Sequence, residues 1–281
     1  LGTKAWLADY HVHTDFSDDS VYPMETVVQD AICLGLSEIC LTDHVDYGVK
    51  RDWDSAGTIP LRNGKLLANV DYPLYQATLQ ELACRYGDQI TLRMGLEFGM
   101  QVHTIPLYER LFARYPLDFV LLSVHEIEDR ELWNQAFQAG RSQREYHERY
   151  YQELLALVKQ YKHYSVLGHL DLIARYDPQG AYPFGNVRPM VAEILRQVIQ
   201  DGKGIEVNTS GYRYGLADGS PNREILRLYR ELGGTILTIG SDSHAPQELG
   251  AHIEQTHAAL RALGFERYCT YCRMKPCFHA L

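Results

Sequence analysis

Asp9-Tyr10-His11-Val12-His13 ends a short apolar run that begins at Ala5. The run reads as a strand, and residues two apart on a strand point to the same face. His11 and His13 therefore leave the strand end side by side, in the spacing that lets two neutral imidazoles hold one metal ion. Two hydrogen-bonded histidines of a half-buried strand would show the same pattern. The pair gains meaning only from what the rest of the chain places beside it.

Outward from this stretch, one pattern repeats: a short apolar strand, a loop, then an amphipathic helix. Further strands are expected at residues 37–41, 90–95, 119–124, 165–167, 204–207 and 235–239. Helical spacing of apolar residues predicts helices at 24–34, closed by Gly35, and at 75–86, 107–115, 143–161, 190–200, 224–232 and 246–263. A long polar loop with Gly48, Gly57, Pro60 and Gly64 follows the second strand, and further loops are expected at 126–141 and 175–186. Strands that alternate with helices favour a parallel sheet. Seven such units without a composition break favour closure over an open sheet. The expected fold is α/β, a distorted (β/α)7 barrel that is TIM-barrel-like, one domain over residues 1–281 with 266–281 a C-terminal tail or strand. Its active site would lie at the C-terminal ends of the strands.

With 46% hydrophobic and 22% charged residues in 281, the composition is that of a globular chain. A net charge of −9 offers no basic field for nucleic acid, so none is expected as a partner, and an anionic substrate needs local positive charge. Neither an 18-residue apolar run nor a signal-peptide pattern occurs, so no membrane partner and a cytoplasmic location are expected. The six cysteines are scattered and fit reduced thiols. Cys269-x-x-Cys272, with Cys277, lacks a second knuckle and reads as a terminal strand or tail with free thiols.

The strand ends share a further property. His11, His13, His44, Glu97, His125, His169, Asp242 and His244 all stand at or just beyond one. Any of them alone fits a strand-end cap. Together at one barrel mouth, and without a cation, they would suffer desolvation and mutual repulsion. Divalent cations remove both penalties. Imidazole suits zinc, iron or manganese, and carboxylates among the ligands allow bridging, for which Glu97 and Asp242 are the candidates. Arg175 and Arg213 lie just beyond strand ends, where a planar donor fork fits phosphate oxygens.

His11-Val12-His13, Thr42-Asp43-His44, Gly95-Leu96-Glu97, Ser123-Val124-His125, Gly168-His169 and Gly240-Ser241-Asp242-Ser243-His244 resemble, in that order, the motifs of the PHP (polymerase and histidinol phosphatase) family. Residues 168–176 and 206–213 resemble its histidinol-phosphate phosphatase branch. The resemblance implies a distorted barrel with a trinuclear metal site of zinc, iron or manganese. His11, His13, Glu97 and Asp242 would hold the first ion. Glu97 would bridge to a second, completed by His125 and His169. His44 and His244 would hold a third with a ligand from Ser17-Asp18-Asp19, where Asp18 is favoured and Asp19 left as a turn or N-cap residue. It further implies hydrolysis of a small-molecule phosphate ester, L-histidinol phosphate, in histidine biosynthesis, with a metal-bridging hydroxide as nucleophile. Arg175 and Arg213 would bind and neutralise the phosphate, Asn208 and Ser210 would add hydrogen bonds, and Asp171 would donate a proton or support a ligand. Glu126, Glu128, Asp46 and Tyr47 stand as partners for the substrate's cationic end. The alternatives are a phosphoesterase of the same barrel acting on nucleotides or oligonucleotide ends, and a non-enzymatic metal-binding protein.

Overall fold

A computed structural model describes residues 4–281. The seven expected strands all form, at Ala8–Val12, Glu38–Val45, Thr91–Gly99, Phe119–Ser123, Val166–Leu167, Gly204–Asn208 and Leu237–Gly240. They pair in chain order as one parallel sheet. Helices between them cover the outside, giving a nearly closed, distorted (β/α)7 barrel. The first and last strands are joined by backbone hydrogen bonds at the C-terminal rim. There His13 N–H donates to Ser243 O (2.8 Å) and Ser243 N–H to His11 O (3.2 Å). All eight residues of the second strand are buried, as suits a strand covered on both faces.

Register carries the chemistry to the rim. His44 sits opposite Glu97, and Glu97 opposite Leu121, so residues far apart in the chain arrive at one level. Two glycines make room for what sits there. A Cβ on Gly99 would stand 1.8 Å from Asp46 Oδ1 and 2.6 Å from His125 Nδ1. On Gly240 it would stand 2.3 Å from His11 Cβ and 2.9 Å from Glu206 Oε2.

Two loops and the C-terminus hold more structure than their sequence suggests. Leu61–Arg62 and Lys65–Leu66 form a small hairpin within the long polar loop, and Lys65 Nζ donates to the Asp15, Ser17 and Ser20 carbonyls. Glu126–Ile127 and Arg130–Glu131 form another. The expected helix at 246–263 is shorter, running Ile253–Ala262 after a 3-10 turn at Pro246–Glu248. Gly250 and His252 take positive φ (67° and 62°), which interrupts the helical path. The C-terminal residues form an antiparallel hairpin, Arg267–Cys272 with Lys275–Ala280, and all six cysteines are free.

That hairpin plugs the end of the barrel opposite the rim. Tyr271 packs on Phe119, which also meets the Tyr10 ring at 5.1 Å. Because Tyr10 and Phe119 come from the first and fourth strands, this contact crosses the barrel interior. Tyr271 N–H donates to Tyr10 Oη (2.9 Å), Tyr10 donates to Glu38, and Glu38 also accepts from Trp6 Nε1 and Arg93 Nε.

Candidate metal centre

Glu97, fully buried at the end of the third strand, is the hub of the rim. Its Oε2 lies 3.2 Å from His11 Nε2, 3.3 Å from His125 Nε2 and 3.0 Å from His169 Nε2. Its Oε1 lies 3.5 Å from His13 Nε2 and 3.2 Å from His44 Nδ1. Asp242 Oδ1 stands 3.3 Å from both His11 Nε2 and His13 Nε2. Asp242 takes φ of 57°, a left-handed conformation uncommon outside glycine but tolerated by Asp. The His13 ring is stacked between His44 and His244, each at 4.1 Å.

These groups fit metal ions better than they fit one another. His11 Nε2, His13 Nε2, His44 Nδ1 and Glu97 Oε1 are buried without a hydrogen-bond partner. Orphaned buried acceptors are rare because each forfeits its hydration. Several sets of three His, Asp or Glu atoms here lie close enough to share an ion, among them His11, His13 and Glu97, and also His44, Glu97 and His125.

A second layer of buried carboxylates fixes the imidazoles. Glu206 Oε2 lies 2.5 Å from His11 Nδ1, and Glu206 Oε1 accepts the His169 N–H (2.9 Å). Asp46 Oδ1 lies 2.7 Å from His125 Nδ1. A carboxylate at Nδ1 favours the tautomer that leaves Nε2 free to ligate. Neither role was read from the sequence, although Glu206 carried a signal as a lone charge in an apolar strand. The same carboxylates shift the imidazole pKa values when no cation shares their charge. Burial alone would depress the His11 pKa, but Asp242, Glu206 and Glu97 raise it well above the ordinary imidazole value. For His125 burial acts downward too, and Glu97 and Asp46 push it up to about 10. His13 goes the other way, held down by burial and by His244 and His44.

The Ser17-Asp18-Asp19 turn corrects one expectation. Asp19 Oδ2, not Asp18, lies 3.2 Å from both His44 Nε2 and His244 Nε2. Asp18 turns to Lys50, whose Nζ lies 2.6 Å from Asp18 Oδ1 and 2.6 Å from Asp46 Oδ2. A buried ammonium between two carboxylates claims Asp18 and leaves its neighbour for the histidines.

A cavity of about 520 Å3 opens above the cluster, and Arg175 and Arg213 line it. Arg175 is gripped by Ser210 and lies over the Tyr214 ring at 4.3 Å. Arg213 donates to the Ser241 and Asp242 carbonyls at 3.0 and 3.1 Å. Asn208, Ser210 and Asp171 do not line the cavity, so the expected contacts to substrate are corrected to support. Asn208 Nδ2 donates to Glu206 and Asp242, while its Oδ1 accepts from Ser210. Asp171 accepts from Ser220 and from the Asn222 N–H, which uses its oxygens to anchor the loop after the sixth strand.

Comparison with known proteins follows the geometry. Residues 9–210 match the PHP domain. The chain is 30% identical over 275 residues to a histidinol-phosphatase of Lactococcus lactis, covering 95% of each chain. It is 26% identical to a probable histidinol-phosphatase of Thermotoga maritima, covering 92% of this chain and 94% of that one. The crystal structure of the Lactococcus lactis histidinol phosphate phosphatase complexed with Zn, L-histidinol and phosphate superposes with a TM-score of 0.82 at 28% identity. That match covers 98% of this chain and 100% of that one.

Proposed function

Because the chain belongs to the PHP domain family, we propose that its rim hydrolyses a phosphate monoester, L-histidinol phosphate, to L-histidinol and phosphate, as a step of histidine biosynthesis. The observation that carries this reading is the set of orphaned ligand atoms facing Glu97 beneath a cavity that also exposes two arginines. In this reading His11, His13, Glu97 and Asp242 hold one divalent ion. Glu97, His125 and His169 hold a second, and His44, His244 and Asp19 a third. Zinc, iron and manganese all suit this donor set. Bound there, divalent ions supply an activated water and offset charge on the phosphoryl oxygens.

The chain's own residues do the rest. Arg175 and Arg213 present donor forks to phosphoryl oxygens, where charge builds as the ester bond breaks. Both are pre-positioned, Arg175 by Ser210 and Tyr214 and Arg213 by two backbone carbonyls, so little ordering remains when substrate arrives. Glu206 and Asp46 keep the His11 and His125 rings in the ligating orientation.

The test is phosphate release from L-histidinol phosphate, p-nitrophenyl phosphate and a dinucleotide, with metal counted per chain in the same preparation. The expected result is three ions per chain and a kcat/KM on histidinol phosphate at least about a hundredfold above the other two substrates. A preference for the dinucleotide, or turnover after complete metal removal, would overturn the reading.

A further inference from the structure

The cavity has one carboxylate with no hydrogen-bond or ion-pair partner among the described residues. Asp18 and Asp46 share Lys50, and Glu131 pairs with Arg62 at 2.8 Å. Asp242 and Glu248 face Arg175 and Arg213, at 3.6 and 3.7 Å. Asp19 and Glu97 face the histidines. Glu126 is the exception among the described residues. It lines the same cavity, it is 2% exposed, and its Oε1 is buried without a hydrogen-bond partner.

A carboxylate buried in this way leaves part of its hydration uncompensated, and a cation delivered to it recovers the deficit. The proposed substrate carries such a cation. In L-histidinol phosphate the carbon beside the phosphate-bearing CH2 holds a primary ammonium, so a group that binds the phosphate at the arginines brings the ammonium a few bonds away. The other acidic and aromatic candidates are otherwise engaged. Glu128 is about half-exposed and pairs with Arg141, and Tyr47 donates to Asp52. Asp46 already bonds His125 and Lys50.

Resting on the reading above, we infer that Glu126 is the specificity-determining residue that accepts the substrate's ammonium, so that the cavity selects phosphomonoesters carrying an amine next to the ester carbon. Phosphate and ammonium are then read by separate walls of one cavity, and a plain alkyl phosphate satisfies only the first.

The test crosses one residue with one substrate group in the metal-loaded enzyme. Wild type and Glu126→Gln are each assayed on L-histidinol phosphate and on 3-(imidazol-4-yl)propyl phosphate, which lacks the amine. Removing the amine should lower wild-type kcat/KM about 30-fold, and Glu126→Gln should lower it about as much on the full substrate. The two losses should not multiply, so the variant with the des-amino ester falls little further. Glu126→Asp, which keeps the charge, should recover part of the discrimination, and metal per chain should match wild type in both variants. Losses that multiply would overturn the assignment, as would loss of metal in Glu126→Gln, which would make Glu126 a ligand. A wild type inert on histidinol phosphate would remove the underlying reading as well, whereas an active wild type with multiplying losses removes Glu126 alone.

Discussion

The two ends of this barrel bury polar groups to opposite effect. At the closed end Glu38 takes three donors, from Tyr10, Trp6 and Arg93, and Asp118 accepts the Met94 and Arg273 N–H groups. At the open end His11 Nε2, His13 Nε2, His44 Nδ1 and Glu97 Oε1 are buried together without a hydrogen-bond partner. Glu38 and Glu97 are about equally buried, at 2% and 0% exposed, so burial does not distinguish them. Satisfaction does: the carboxylates at the closed end are answered by donors of their own chain, and the donor set at the open end is complementary to a cation.

The strongest way to break this comparison is to remove the hub. Glu97→Gln keeps the shape and deletes the charge that five imidazoles face. Bound metal should fall by at least one ion per chain, and kcat/KM should drop about a thousandfold or more, beyond the 10–100-fold typical of outer-layer partners. Metal analysis beside phosphate-release rates reads both. Full metal content with near-normal turnover would show that Glu97 is merely a buried charge. The matching change at the closed end is Tyr271→Ala, which opens a hole between Phe119 and Tyr10. It should cost about 3–4 kcal/mol of stability by denaturant titration while leaving metal content and kcat near wild type. A kcat that fell with stability would mean that the two ends are coupled.

The same contrast explains what was legible in the sequence. Strand ends and their register are local and repetitive, so the His, Glu and Asp set at the rim could be read without knowing any contact. The Asp18/Asp19 choice could not, because Lys50, in the loop after the second strand, makes it. Asp171 was misread for the same reason, since the groups that occupy its oxygens, Ser220 and Asn222, come from the far side of the next strand. Arg175 and Arg213, which stand just beyond strand ends in the sequence, line the cavity. The residues that hold them and the imidazoles, Ser210, Glu206 and Asp46, act through packing that no spacing rule encodes.

The smallest effect sharpens the comparison through pH. In metal-free protein the positive charge facing Glu97 and Asp242 comes from the rim histidines whose pKa is raised, His11 and His125 among them, while His13 is held down. Burial pulls the His125 pKa down, but Glu97 and Asp46 outweigh it and set it at about 10. A histidine raised in the folded state contributes stability that is fully present below its unfolded value, about 6.5, and is lost as pH climbs through the folded one. Protein stripped by a chelator should therefore lose on the order of 3 kcal/mol of stability, seen as a falling Tm, between pH 7 and 10. Metal-loaded protein should hold its Tm over the same range, because ligation already requires neutral imidazole and the ions now answer the carboxylates. Scanning calorimetry at three pH values, with and without chelation, measures the difference. Parallel curves would mean that these imidazoles never carried the balance at the open end, and the distinction between a finished end and a complementary one would lose its electrostatic half.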